Sequence, residues 1–171
     1  MHLRRVVAPH VVYARRAMVR DALWRLAYRI AFRLQLVYWR LAHPRLEGSY
    51  VAVWHAGRLL VVRNSYRRKL TLPAGGLERG ERPIDAALRE LREEVGIASD
   101  ANALRYVGEI VDRSRYADDH THFFELHCAE EPRPVVDARE VVWAGFLRAD
   151  EALAAGVVPV VRMYLERRSG A

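Results

Sequence analysis

The stretch Pro83 to Val95, PIDAALRELREEV, reads as a helix with two chemically opposed faces. At about 100° per residue, Ile84, Ala87, Leu88, Leu91 and Val95 share one side and belong in a core. Glu90, Glu93 and Glu94 gather on another side, within roughly a 100° arc. Pro83 suits the first helical position, Asp85 the positive end of the helix dipole, and Gly96 a left-handed stop. Three carboxylates on one patch repel each other unless they share a cation. Hard oxygen donors at this spacing suit Mg²⁺, with Mn²⁺ as a substitute. Taken alone, the same helix also fits a solvated acidic face.

The flanking sequence sets this helix inside a layered fold. Tyr50 to Trp54 and Leu59 to Arg63 read as strands joined by His55-Ala56-Gly57-Arg58, a hairpin with the glycine it needs. Leu70 to Leu72 reads as a further short strand, followed by a glycine-rich loop from Pro73 to Gly80. Strands are expected at about Leu104 to Val111, Thr121 to Cys128 and Val141 to Leu147. Asp150 is expected to cap a short helix, and Pro159 to open the last one. Strands mixed with helices indicate an α/β or α+β layer fold.

Read whole, Gly75 to Ile97 resembles the Nudix box, G-x5-E-x7-R-E-U-x-E-E-x-G-U, with U aliphatic. Gly75, Glu81, Arg89, Glu90, Leu91, Glu93, Glu94, Gly96 and Ile97 fill every defined position. The resemblance covers roughly residues 50–153. It implies an α/β/α sandwich with a mixed sheet and a hydrolase that cuts a diphosphate linkage in a nucleotide-like substrate. It also implies Glu90, Glu93 and Glu94 as metal ligands, joined by the Gly75 carbonyl. By the same resemblance, Arg89 orients the glutamates and Glu81 is a structural partner. A 5′-RNA pyrophosphohydrolase and a non-catalytic nucleotide-binding module on the same fold are the alternative functions. Relatives that cleave ADP-ribose carry a proline about 15 residues after the box, and relatives that cleave NADH carry a Ser-Gln-Pro-Trp run. Neither signal is present, so the substrate is not readable from the sequence.

Nudix enzymes often draw a further carboxylate from outside the box, as base or extra ligand. Glu140 and Glu125 are the two candidates, each with an ordinary surface acid as the alternative. Glu140 lies six residues before Phe146, in a strand that enters a short helix. Glu125 lies on the alternating strand from Thr121 to Leu126. Arg63, Arg67 and Arg68 are candidates for phosphate contact, His120 and His122 for phosphate contact or acid chemistry, and Tyr66 and Tyr116 for stacking on a base. Each also has a reading as a plain surface or covering residue.

The N-terminal 45 residues form a distinct unit, separate from a body spanning 46–171. They carry ten arginines and one acid, Asp21, so of the net charge of +7 they hold +9 and the rest holds −2. A helix is expected from about Ala14 to Ala42, stopped by His43-Pro44, with Arg25, Arg29 and Arg33 in one stripe. Its wide apolar arc has three readings: packing on the body or on a second protomer in a homodimer, lying on an anionic membrane, or holding a nucleic acid. The single cysteine, Cys128, allows no internal disulfide, and no signal-peptide pattern is seen. A cytoplasmic protein, peripheral to the membrane if the helix binds lipid, is the expectation.

Overall fold

The computed structural model describes residues 12–13, 19–113 and 117–170. A two-residue strand, β1 (Val12–Tyr13), precedes a long helix, α1 (Val19–Ala42). The expected helix start at residues 14–18 lies outside the described residues. The stop falls where proline chemistry places it. His43 takes a left-handed φ of 44°, its N–H meets Trp39 O at 2.9 Å, and Pro44 follows.

The hairpin forms as β2 (Arg45–His55) and β3 (Arg58–Asn64), with a loop of only two residues between the paired His55 and Arg58. Ala56 and Gly57 both have positive φ, 47° and 73°, the geometry that matches the twist of the flanking strands. Beyond the hairpin end the two strands separate, and residues 71–76 insert between them. Thr71 exchanges backbone hydrogen bonds with Val62 on one side. Val51 N–H meets Pro73 O at 3.0 Å on the other. Ala74–Gly76 is therefore a strand, β4, paired antiparallel to Gly48–Tyr50, where a glycine loop was expected. Long-range pairing overrides the weak strand preference of glycine here.

The rest follows as α2 (Pro83–Val95), β5 (Leu104–Asp112), β6 (Asp118–His127), β7 (Val141–Leu147), α3 (Ala149–Ala155) and α4 (Pro159–Ser169). The sheet runs β1-β7-β3-β2-β6-β5, with β4 attached to β2. β2 and β6 are parallel over ten residue pairs and the other pairs are antiparallel, so the sheet is mixed. Pro159 opens α4 as expected. Asp150 does not cap α3. Arg148 stands at the cap position, and the Glu151 carboxylate accepts its N–H at 2.9 Å, a role that falls to the acid three residues on.

Strand alternation divides the core into two layers. Val51, Val53, Leu60, Val62, Phe124 and Leu126 face α2, meeting Ala87, Leu91 and Val95. Ala52, Trp54, Leu59, Val61 and Phe123 face the other way, onto Val161, Tyr164 and Leu165 of α4. The expected α/β/α sandwich results, with α1 added outside it.

Candidate active site

The loop–helix unit is held from both ends. Gly96 ends α2 at φ 66°, its N–H meets Arg92 O at 3.0 Å, and Ile97 N–H reaches back to Leu91 O at 3.2 Å. At the other end, the fully buried Ser49 of β2 donates to Pro83 O at 2.7 Å. The acidic face of α2 thereby turns toward a cleft of about 400 Å³. Gly75, Glu90, Glu93 and Glu140 line it together with Asn64, Tyr66 and Arg67. Glu94 lies just behind, 8% exposed, with Oε2 accepting Ala74 N–H at 2.9 Å.

Gly75 is required by space. A Cβ there would run into the Glu90 carboxylate, so the carboxylate lies directly over the β4 backbone. Arg89 organises the acids. It makes a two-pronged pair with Glu81, 2.9 Å on each side, and donates to Glu90 Oε1 at 2.5 Å and to Gly76 O at 3.0 Å. Glu93 Oε2 stands 3.6 Å from the same guanidinium. Glu81 is held below the usual carboxylate range by the Arg89 hydrogen bonds, then by the Glu78 N–H.

The cleft acids behave in the opposite way. Burial pushes Glu90, Glu94 and Glu140 up, Glu94 most of all. Mutual repulsion adds to this. Glu90 and Glu140 act on Glu94, while Glu93 acts on both Glu90 and Glu140. Arg89 counters at Glu90, and the Tyr66 hydroxyl, donating to Glu140 Oε1 at 3.0 Å, counters at Glu140. The Ala74 N–H and Asn64 counter at Glu94 and Arg67 at Glu140, but together these groups do not offset burial and repulsion at the three acids.

Among the described residues, no three His, Cys, Asp or Glu side chains stand in a ready-made ligand arrangement. The donor set nevertheless fits a hard divalent cation in charge and atom type. Its side-chain members are carboxylate oxygens, burial disfavours the charged forms of Glu90, Glu94 and Glu140, and Glu93 is 62% exposed beside Arg89.

Of the other sequence candidates, Glu140 and Arg67 reach the cleft. Arg67 packs over the Phe32 ring at 4.8 Å, and its buried Nε has no partner. Tyr66 also lines the cleft, and Phe32 and Tyr28 of α1 pack against its ring with centroids at 5.0 and 6.3 Å. Arg63 lies over Trp143, and Arg68 is exposed outside the cleft. His122 meets Tyr106, and His120 meets Glu109 at 2.5 Å. Tyr116 lies outside the described residues. Glu125 points to the α4 face, 2% exposed, where Tyr164, Arg168, Arg105 and His127 bind it at 2.5–2.9 Å. It does not join the cleft acids.

Sequence reasoning missed Asn64, Asp119, Gln35 and Trp39, all of which line the cleft. Asn64 is 4% exposed, donates to Tyr66 Oη at 3.3 Å and supports Glu94. A polar residue ending the apolar run from Leu59 to Val62 was the available signal. Burial pushes the Asp119 carboxyl up, with Asp112 adding to it.

Comparisons with known proteins agree with this geometry. Residues 47–166 match the NUDIX domain family. The ADP-ribose pyrophosphatase of Bacillus subtilis is 34% identical over 113 residues, 61% of this chain and 59% of that protein. The RNA pyrophosphohydrolase of Bartonella clarridgeiae is 48% identical over 50 residues, 28% of this chain and 29% of its own. The chain thus spans well under two thirds of these relatives' lengths. The crystal structure of the MutT NUDIX hydrolase from Burkholderia pseudomallei aligns at a TM-score of 0.60 and 24% identity, covering 72% of this chain and 96% of that one, which is a likeness of fold. With its family match spanning most of its length and every position of the box filled, this chain belongs to the Nudix family.

Proposed function

We propose that the chain is a Mg²⁺-dependent pyrophosphohydrolase that cuts a diphosphate linkage in a nucleoside diphosphate joined to another moiety. One observation carries this reading: four mutually repelling carboxylates border a cleft that also holds an arginine with an unpartnered buried N–H. Glu90, Glu93 and Glu94 are the ligand side chains, and the Gly75 backbone is the loop contribution. A divalent cation held by these groups would offset phosphate charge and would lower the pKa of an attacking water. Arg67, which lines the cleft, is the candidate for phosphate contact through its guanidinium, and Arg89 would keep Glu90 and Glu93 aimed while Glu81 holds Arg89. Glu140, which lines the cleft with one oxygen held by Tyr66, is the candidate to accept the proton of the water.

A second reading, hydrolysis at an RNA 5′ end, draws on the likeness to RNA pyrophosphohydrolases of Bartonella, which covers 28% of this chain. The cleft favours a smaller substrate, because Gln35 and Trp39 of α1 line it.

The test is a Mg²⁺-dependent phosphate-release screen over nucleoside triphosphates, dinucleoside polyphosphates, nucleotide sugars, ADP-ribose, NADH and capped RNA. Glu94→Gln is the control, with an expected loss of at least ~10²-fold. Turnover that survives in Glu94→Gln removes the ligand assignment. Absence of turnover on every compound favours a binding module.

A further inference from the structure

The helix α1 has two apolar faces, and the Nudix body uses only one. Its inner face is fixed. Tyr28 and Phe32 pack on Tyr66, Arg25 Nε donates to Ala138 O at 2.8 Å, and Asp21 meets Arg139 at 3.5 Å. Its outer face carries Leu23, Ile30, Leu34, Val37 and Leu41, which are between 51% and 79% exposed. A monomer in water rarely leaves so continuous an apolar strip uncovered. Among the described residues no helix is long and apolar enough to cross a membrane.

We propose that this outer face docks in the plane of an anionic lipid bilayer. Charge complementarity selects this occupant. Arg33 and Arg40 flank the strip on one side, within roughly a 40° arc that also holds Arg29, whose Nε donates to Ser65 O of the body at 3.2 Å. The helix holds a single acid, Asp21, and that acid is turned inward to Arg139. A second copy laid antiparallel on the strip would bring arginines against arginines, and in either orientation the outer face offers no acid to offset them. An anionic surface meets the same arginines with phosphates. Tyr38, 59% exposed, edges the strip as ring side chains do at the headgroup level. The chain is also polarised. Residues 1–45 hold +9 and the remainder −2, so an anionic surface attracts the helix and not the body. The proposal is independent of which diphosphate the cleft hydrolyses.

The test is sedimentation of the full chain with vesicles of phosphatidylglycerol and phosphatidylcholine, and with phosphatidylcholine alone. The Ile30→Glu/Leu34→Glu variant is run beside it, with light scattering on both proteins without lipid. Both changes lie on the exposed strip, and circular dichroism checks that the fold is kept. The expected result is partition onto anionic vesicles that weakens about tenfold or more on neutral vesicles, in the variant, and at high salt. Equal partition of wild type and variant, or no partition onto anionic vesicles, overturns the proposal. A wild-type dimer that the variant converts to a monomer also overturns it, and assigns the strip to a second copy.

Discussion

Two glutamate centres lie on opposite faces of this sheet, and their electrostatics run in opposite directions. On the α4 face, Glu125 is alone among partners. Burial by itself would raise its pKa, but hydrogen bonds from His127, Tyr164 and Arg105 and the charge of Arg168 outweigh it and hold the carboxyl at about 2. Trp54 completes the network by donating to Tyr164 Oη at 2.9 Å. On the α2 face, Arg89 acts on Glu90, the Ala74 N–H and Asn64 on Glu94, and Tyr66 with Arg67 on Glu140, yet burial with mutual repulsion drives these three carboxyls up. Burial alone therefore does not mark a functional acid. The first centre is neutralised by the protein's own donors, whereas the repulsion in the second is left partly uncompensated.

Substitution at each centre should separate the two roles. Glu94→Gln is expected to lower turnover by at least ~10²-fold, yet leave the metal-free protein as stable as wild type or more so, since it removes a buried like charge. A lower melting temperature for this variant would erase the contrast. Gly75→Ala should come next, with about a tenfold or greater loss of turnover, because its methyl group displaces the Glu90 carboxylate. Steady-state kinetics across a Mg²⁺ series checks both.

Glu125→Gln should do the reverse. It is expected to cost about 3 kcal/mol of stability by the size of the shift, with turnover kept. Urea unfolding and kinetics on one preparation decide this, and a large loss of turnover would tie Glu125 to the cleft after all. The same comparison has a pH form. The folded pKa of Glu125 is about 2 against an ordinary value of 4.5, so its contribution is complete above 4.5 and is lost as pH falls from 4.5 toward 2. For Glu90, Glu94 and Glu140 the folded value is raised, so acidification toward 4.5 relieves them and stabilises the metal-free chain. Melting temperature against pH should thus pass through a maximum, and saturating Mg²⁺ should flatten its neutral side. The smallest expected effect is at the hairpin. Ala56→Asn should add about 0.5–1 kcal/mol, since Asn tolerates the left-handed φ better.

The α2 segment was legible in the sequence because both its packing face and its acidic face follow from one local period. The cap at Gly96 and the two-residue hairpin were legible for the same reason: each depends on residues a few positions apart. The cleft beyond α2 was not. Gln35 and Trp39 enter it only because α1 folds back over the body, and Asp119 only because β6 runs parallel to β2 from Arg45 onward. Strand parity shows that Glu125 and Phe123 share a face, but not that this face lies under α4 instead of α2. Arg63, Arg67 and Arg68 look equivalent in sequence. The chain turn after Asn64 sends only Arg67 into the cleft. β4 was hidden because two glycines carry no strand signal, and its pairing partner lies about 26 residues away in β2.

The account rests on the α2-face carboxylates holding a divalent ion. Titration of the full chain with Mn²⁺, read by electron paramagnetic resonance as loss of the free-ion signal, measures this without any substrate. Binding in the wild type that weakens at least about tenfold in Glu90→Gln/Glu94→Gln, and is unchanged in Glu125→Gln, is the predicted result. Equal binding by wild type and the double variant, or no binding by either, would contradict it.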